Sequence, residues 1–310
     1  MKIYYHNDLD GACAAAIVKY YYEIFNHVIL KEEDFIKLNY KGSIPIDMIE
    51  ENETVFFVDY SFSKSDYTVL KELLDKTTDI IWIDHHKTSI EFEKEHPELN
   101  LFGLRNINRC GAYLSYVFLF LGDNLSDNHS FIDDENNVPL YIKLVDDYDR
   151  WQFKYKSTMD FKNGMYIENY HPMATIWDSL YEDTLPDTLF VENMLDKIIQ
   201  KGSVITRYIE SNNNYIRNEL CYESEFEGVK CAVINCLGDS KVFGEVYYKY
   251  PMVIMWTFDG NKYKYSLRSH EDSNIDCSQF AKKYGGGGHK GAAGFISDKM
   301  LLKKIGQKER

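Results

Sequence analysis

Aspartate and histidine side chains recur at the ends of four short apolar runs in the first half of the chain. After KIYY come His6, Asp8 and Asp10; after TVFFV comes Asp59; after DIIWI come Asp84, His85 and His86; and after IKLV come Asp146, Asp147 and Asp149. One such Asp is commonly a helix cap or turn residue, but the same pattern at four successive strand ends favours a shared site. Carboxylates packed closely repel one another unless divalent cations neutralise them. The pattern therefore predicts a metal centre with oxygen and imidazole ligands, which suit Mn, Fe or Mg.

The elements that position these groups follow from the hydrophobic pattern. Apolar runs at 2–5, 54–60, 79–84 and 139–145 alternate with helical patterns from Gly11 to about Phe25, around 69–74 and at about 111–121. This alternation is typical of an α/β fold with a parallel sheet covered on both faces. Because the carboxyl ends of parallel strands share one edge of the sheet, the acids and imidazoles are expected to converge on one crevice there.

Length and periodicity predict two domains. The chain has 310 residues, about twice the usual domain size. Apolar residues recur with a helical period from Asp187 to Arg217, so residues 187–218 are interpreted as a helical linker that Gly202 and Asn212–Asn214 could break. Strand-like segments at 229–236, 252–258 and 263–269, the last two joined by the turn FDGN, predict a smaller α+β domain over 219–310.

The charge balance restricts the classes of partner. The chain has 35 basic and 49 acidic residues. Residues 219–310 contain 14 basic and 12 acidic residues, and residues 1–218 contain 21 basic and 37 acidic residues. So acidic a surface disfavours non-specific binding to long duplexes. Six scattered cysteines, no signal peptide and an apolar stretch at 111–122 that is too short to span a bilayer indicate a cytoplasmic protein with reduced thiols and no membrane partner.

Six ordered motifs resemble those of one family, the DHH phosphoesterase superfamily. HNDLDG at 6–11, VD at 58–59, DHH at 84–86 and DDYDRW at 146–151 look like its four motifs. YSLRS at 265–269 and GGGGHKGAAGF at 285–295 resemble the DHH-associated C-terminal domain of nanoRNases and RecJ-type exonucleases. The resemblance covers nearly the whole chain. It implies a DHH catalytic domain at 1–186, a linker, and a substrate-binding domain at 219–310, with a cleft between the two domains.

The resemblance also implies a set of metal ligands. His6, Asp8 and Asp59 would hold one cation, while Asp10, His85 and Asp147 would complete the second site, with Asp59 bridging. Asp147 is preferred over Asp146 and Asp149 because an aromatic residue follows the family's ligand by four positions, and Trp151 fits. Asp84 is expected to orient the following imidazole, and His86 to contact phosphate, so both are catalytic candidates. The implied cofactors are two divalent cations, Mn²⁺ or Mg²⁺.

The glycine-rich motif of the second domain is a candidate phosphate cradle. Backbone N–H groups at Gly286, Gly287 and Gly288 can approach an oxyanion closely, and His289 can add a donor, as can Arg268 and Ser269 in the SLRS segment. A plain glycine loop is the alternative reading of the motif. Arg105 and Arg109 could also contact phosphate, with ordinary surface arginines as an equal alternative.

By resemblance, the expected activity is hydrolysis of short single-stranded oligonucleotides or small nucleotide phosphates, as in a nanoRNase with phosphoadenosine phosphate phosphatase activity. HNDLDG has a shorter His-to-Asp spacing than nanoRNases, closer to the RecJ-like branch. Cyclic dinucleotide phosphodiesterase and single-strand exonuclease activities therefore stay open, as does a non-catalytic nucleotide sensor. The glycine-rich motif argues against a family II pyrophosphatase. A homodimer is compatible with the sequence.

Overall fold

Five parallel strands form the central sheet of the first unit of the chain, Met1–Thr206. They are β1 (Lys2–His6), β2 (Phe35–Leu38), β3 (Val55–Val58), β4 (Ile80–Asp84) and β5 (Phe102–Arg105), in the order β2-β1-β3-β4-β5. All residues of β3 and β4 are buried, as expected for strands covered on both faces. The chain passes to one side of β1 to form β2 and to the other to form β3. The carboxyl ends of β1 and β3 therefore border the crevice where such sheets bind ligands.

The computed structural model describes residues 1–40, 42–122, 135–184 and 193–302. In the first unit its helices are α1 (Leu9–Phe25), α2 (Tyr67–Lys76), α3 (Lys87–Glu95), α4 (Gly111–Phe120), α5 (Leu140–Asp149), α6 (Thr158–Met165) and α7 (Thr175–Glu182). Side chains alternate across the sheet, so that Ile3 and Tyr5 join one core with α1, α4 and α5, while Tyr4 and Phe57 join a second with α2. No helix of the described residues has the length and apolar character needed to cross a membrane.

The prediction of a strand at 139–145 is wrong, because this segment forms most of α5. Tyr141, Ile142, Leu144 and Val145 are buried at helical spacing, and Pro139 is the N-cap residue. A short apolar run is compatible with a buried strand or a buried helix, and periodicity alone does not separate them. Asp146, expected from the sequence to follow the end of a strand, lies instead in the last turn of helix α5. Strands β2 and β5 are absent from the sequence-based prediction.

One long helix, α8 (Met194–Leu220), contains the boundary between the two units, which follows Thr206. Helix α8 is continuous through Gly202 and Asn212–Asn214, so neither of them breaks it. Residues 187–192 of the predicted linker lie outside the described residues. Gly202 has a packing role instead. A Cβ atom there would lie 1.7 Å from the carbonyl oxygen of Asp160, and one at Gly164 would lie 2.1 Å from that of Ile198. The two glycines let α6 and α8 approach closely.

The second unit, which begins at Arg207, is built on a six-stranded mixed sheet. Its strands are β6 (Cys221–Phe226), β7 (Val229–Asn235), β8 (Met252–Phe258), β9 (Tyr263–Arg268), β10 (Gly287–His289) and β11 (Ala292–Ser297), in the order β10-β11-β9-β8-β7-β6. Helix α9 (Cys277–Lys283) shares a core with Phe226, Leu267 and Phe295. The predicted β8–β9 hairpin is present. The two units confirm the predicted fold class of an α/β domain followed by a smaller α+β domain.

Candidate metal centre

The carboxyl ends of β1, β3 and β4 bring the first group of polar side chains together. His6 ends β1, and its Nδ1 lies 2.7 Å from Asp8 Oδ2 and 3.7 Å from Asp59 Oδ2. Asp8 is also the N-cap of α1, where its Oδ1 accepts a hydrogen bond from the Gly11 backbone N–H at 2.9 Å. The first turn of α1 requires glycine at position 11, since a Cβ atom at Gly11 would lie 2.2 Å from the carbonyl oxygen of His6.

A second group surrounds His85, which directly follows β4. Its Nε2 atom lies 3.2 Å from Asp59 Oδ1, 3.4 Å from Asp149 Oδ2 and 3.7 Å from Asp10 Oδ2. Asp59 therefore has one oxygen facing His6 and the other facing His85. Three overlapping sets have candidate ligand atoms that all lie within 4.8 Å of one another, a spacing that suits coordination of a metal ion. The sets are His6, Asp8 and Asp59; Asp10, His85 and Asp149; and Asp59, Asp84, His85 and His86.

Asp59 is the strongest single indication that cations belong here. It is 1% exposed, and in the described part of the chain neither of its oxygens accepts a well-directed hydrogen bond. Burial raises its pKa well above the usual range, and the nearby Asp8 and Asp84 carboxylates add to this effect while His6 opposes it. Its φ of 54° is in the left-handed region, which is costly for a residue other than glycine. A buried carboxylate with unused oxygens fits a bridging ligand of divalent cations.

Asp10 is fixed by the start of α4. The Gly111 N–H donates to its Oδ2 at 2.7 Å and the Ala112 N–H donates to its Oδ1 at 2.8 Å. A Cβ atom at Gly111 would lie 2.6 Å from Asp59 Cβ and 3.1 Å from Asp10 Oδ2, so glycine is needed for this approach. Burial, followed by repulsion from Asp59 and Asp149, raises the pKa of Asp10 well above its usual value. The repulsion among the Asp10, Asp59 and Asp149 carboxylates is what bound cations would offset.

The preference for Asp147 over Asp149 disagrees with the structure. The carboxylate of Asp147 accepts hydrogen bonds from the N–H groups of Lys154 and Tyr155 at 2.8 and 3.2 Å, and from the Thr158 hydroxyl. It therefore holds the segment after α5, whereas Asp149 faces His85. Burial raises the pKa of Asp149, as expected for a carboxylate in this cluster.

Asp146 is occupied elsewhere. Its Oδ1 accepts from the Cys110 N–H at 2.7 Å, and its Oδ2 lies 3.3 Å from Arg109 Nη1. Arg109 also pairs with Glu135 at 2.8 Å. Arg105 donates to the Trp82 carbonyl oxygen and to Glu93. Both arginines thus have protein partners that account for their positions.

Asp84 orients His86 through a network that the sequence does not reveal. Asp84 Oδ1 lies 2.9 Å from His86 Nδ1, and Oδ2 accepts a hydrogen bond from the Ser89 hydroxyl. Burial opposes the charged imidazole, but the hydrogen bond to Asp84 and the attraction of its negative charge together outweigh burial and raise the pKa of His86. On the other side of the ring, the Tyr40 hydroxyl lies 3.3 Å from Nε2. A cavity of about 430 Å³ adjoins His86 and Tyr40 and is also lined by Ser61.

In the second unit, the glycine-rich motif forms a β-hairpin. Strands β10 and β11 pair antiparallel, with His289 opposite Ala292, and Ala292 in turn pairs with Arg268 of β9. The Ser269 N–H donates to the Gly291 carbonyl oxygen at 3.0 Å. The β-sheet register thus brings Arg268 and Ser269 close to this hairpin, as the phosphate-cradle hypothesis requires. His289 is exposed.

The three glycines of the predicted cradle, Gly286, Gly287 and Gly288, have different surroundings. A Cβ atom at Gly286 would lie 2.1 Å from the Gly294 carbonyl oxygen, and one at Gly288, where φ is 140°, would lie 2.5 Å from that of Ala292. Close backbone approach within the hairpin therefore requires glycine at both positions. A Cβ atom at Gly287 would instead meet open space, with no atom within 4 Å among the described residues.

Comparisons with known proteins relate the first part of the chain to one family. Residues 1–135 match the model of the DHH family, N-terminal domain. Two curated relatives are an uncharacterized protein R106 of Acanthamoeba polyphaga mimivirus, 23% identical over 302 residues, and oligoribonuclease NrnB of Bacillus subtilis, 24% identical over 305 residues. These alignments cover 92% and 94% of this chain, and 64% and 71% of the respective relatives.

A solved structure shares the fold at low identity. The pGpG-specific phosphodiesterase PggH from Vibrio cholerae superimposes with a TM-score of 0.52 at 12% identity, covering 96% of this chain and 92% of that one. The family model, together with the placement of the four motifs, confirms the resemblance seen in the sequence. Residues 1–135 are therefore similar to the N-terminal domain of the DHH family.

Proposed function

We propose that this chain is a metal-dependent phosphoesterase that hydrolyses short oligonucleotides or small nucleotide phosphates. The observation that carries the proposal is the convergence of six side chains of the types that ligate metals, namely His6, Asp8, Asp10, Asp59, His85 and Asp149. Their oxygen and imidazole donors suit Mn²⁺ or Mg²⁺. The DHH domain, and a relative named as an oligoribonuclease, support the reaction class.

The geometry suggests how the residues divide the work. His6 and Asp8 would hold one cation, and Asp10, His85 and Asp149 the other, with Asp59 shared because its oxygens face both groups. When bound, two such cations lower the pKa of water and offset the negative charge that develops at phosphorus.

His86 has a separate task. Asp84 holds its Nδ1, which leaves Nε2 as the edge that would donate a hydrogen bond to a phosphate oxygen. Tyr40, whose hydroxyl lies beside that nitrogen, would then help to fix the ring or exchange its contact for one with the substrate.

The second unit would bind the part of the nucleotide that is not cleaved. Arg268 supplies a permanent positive charge at the end of β9, and His289 is exposed on the neighbouring hairpin. The backbone N–H groups of Gly287 and Gly288 would complete this cradle. The other two predicted donors are occupied within the protein, because the Gly286 N–H donates to the Ala281 carbonyl oxygen at 2.9 Å and the Ser269 hydroxyl donates to the carbonyl oxygens of Ile275 and Lys290. Its expected contribution is to substrate affinity rather than to the chemical step.

The test is a substrate panel offered to the purified Mn²⁺-loaded protein. It contains linear dinucleotides, cyclic dinucleotides, phosphoadenosine phosphate, longer single strands and pyrophosphate. We expect turnover of short linear oligonucleotides or of phosphoadenosine phosphate. Turnover of cyclic dinucleotides or of long single strands in preference to these would replace the proposed substrate class. Binding of nucleotides without any turnover would contradict the assignment as an enzyme.

A further inference from the structure

An exposed aromatic surface directly follows Asp149 in the chain. Trp151 is 59% exposed and Phe153 is 38% exposed, and their rings contact edge to face with centroids 5.2 Å apart. Tyr148 completes the group, with its ring centroid 6.1 Å from that of Trp151. Large aromatic side chains left this accessible beside a cluster of charged groups usually have a binding role. We call Tyr148, Trp151 and Phe153 the aromatic surface.

The backbone that presents these rings is strained and firmly held. Trp151 has a φ of 54° and Phe153 a φ of 50°, in the left-handed region that bulky residues rarely adopt. The Trp151 N–H donates to the Tyr148 carbonyl oxygen at 3.0 Å, and the carboxylate of Asp147 binds the Lys154 N–H at 2.8 Å. Strain maintained by such contacts is typical of ligand-binding segments.

The charge of this segment differs from that of the unit around it. Residues 150–162 contain four basic residues and one acidic residue. Residues 1–218 as a whole contain 21 basic and 37 acidic residues. Lys154 and Lys156 are exposed. Lys162 Nζ lies 5.4 Å from the ring centroid of Tyr148, so a positive charge also adjoins the rings. Rings beside positive charge form the combination that binds single-stranded nucleic acid.

We propose that the aromatic surface stacks against a base of the nucleotide substrate while its phosphate lies at the cluster around His85. The inference rests on the proposed function and adds to it a recognition element in the first unit. Asp149 Oδ2 lies 3.4 Å from His85 Nε2, and Trp151 follows Asp149 by two residues. Because two residues of chain span at most about 7 Å, a nucleotide with its phosphate at the cluster would have its base within reach of these rings. Stacking accepts every base, so this contact favours single strands without selecting a sequence.

The test compares Trp151→Ala and Trp151→Phe with a control, Phe102→Ala. Phe102 is 67% exposed at the amino end of β5, on the opposite edge of the same sheet. For an adenosine tetranucleotide, Trp151→Ala is expected to raise KM about 5-fold to about 100-fold with little change in kcat. Trp151→Phe and Phe102→Ala are expected to leave KM within about twofold of the wild-type value. An abasic tetramer with tetrahydrofuran in place of the nucleosides should show no such increase in KM for Trp151→Ala.

A binding measurement separates failure of this inference from failure of the proposed function. Tryptophan fluorescence of the Mg²⁺-loaded chain is titrated with a phosphorothioate-linked adenosine tetranucleotide, which resists hydrolysis. Quenching that disappears in Trp151→Phe but persists in Phe102→Ala is expected. Turnover of the tetranucleotide with no quenching, and with an unchanged KM in Trp151→Ala, would overturn the stacking role alone. Quenching without turnover would support stacking and contradict the proposed reaction.

Discussion

Asp149, rather than Asp147, faces His85, with Oδ2 of Asp149 3.4 Å from Nε2 of the histidine. The two carboxylates belong to the same helix and are two residues apart, which separates them by about 200° around its axis. Asp149 therefore points at the cluster of candidate ligands, while Asp147 binds backbone N–H groups of the following segment. This division predicts that the asparagine substitution at Asp149 lowers activity, whereas the one at Asp147 lowers stability.

Asp149→Asn should abolish most metal-dependent activity while leaving the chain folded. Asp147→Asn should mainly lower the stability of the segment after α5, by about 1–3 kcal/mol, since an amide replaces a charged acceptor of several hydrogen bonds. Chemical unfolding and steady-state kinetics, carried out on both variants, give the comparison. A stable but inactive Asp147→Asn beside an active Asp149→Asn would restore the preference for Asp147.

Asp59→Asn is expected to stabilise the chelated protein and to inactivate the loaded one. Without cations, the substitution removes a buried negative charge that Asp8 and Asp84 repel. With cations, it removes the carboxylate that faces both ligand groups. Thermal melts in chelator and in Mn²⁺ provide the measurement. If the variant melted at a lower temperature than the wild type in chelator and kept near wild-type turnover in Mn²⁺, the shared-ligand assignment would be wrong.

Removal of metal should lower both activity and stability. The Asp59 and Asp10 carboxylates are buried close together, and binding of cations offsets their repulsion only in the folded chain. We expect the melting temperature to fall after exhaustive chelation and to recover with Mn²⁺, and turnover to be higher with Mn²⁺ than with Mg²⁺. Full turnover by a protein shown by elemental analysis to be metal-free would contradict the metal centre.

Gly111→Ala should impair the site from outside the set of ligands. A methyl group at this position would lie 2.6 Å from Asp59 Cβ, too close for either residue to keep its place. We expect the affinity for Mn²⁺, measured by calorimetry, to fall at least tenfold because Asp59 and Asp10 shift. Gly287→Ala is the control, since a Cβ there meets open space. Unchanged Mn²⁺ affinity in Gly111→Ala would show that the cluster tolerates the displacement.

His289→Ala and Arg268→Ala test the proposed cradle in the second unit. Each should lower kcat/KM for a short nucleotide substrate about tenfold to a hundredfold, because a charge-assisted hydrogen bond contributes about 1.5–3 kcal/mol. Hydrolysis of a small generic phosphodiester, which cannot reach both sites, should change far less. Equal losses on both substrates, at unchanged stability, would place these residues in the chemical step or in domain placement.

Much of the centre could be predicted from the sequence because strand direction converts a pattern into a location. His6, Asp59 and His85 each follow a buried apolar run, and parallel strands place such positions at one edge. The runs that form β1, β3 and β4 are apolar and rich in β-branched or aromatic residues, so the strands themselves are also predictable. These features depend on local pattern and on the geometry of a parallel sheet.

The tertiary structure decided what depends on contacts between distant segments. The apolar run before Asp146 is a helix rather than a strand. The direction in which each side chain leaves that helix, and not its position in a sequence motif, places Asp149 at the cluster. Asp10 is fixed by N–H groups of Gly111 and Ala112, about a hundred residues away in the chain. Local sequence carries no signal for such a contact, because the free energy that maintains it comes from packing α4 against α1, which only the folded chain brings together.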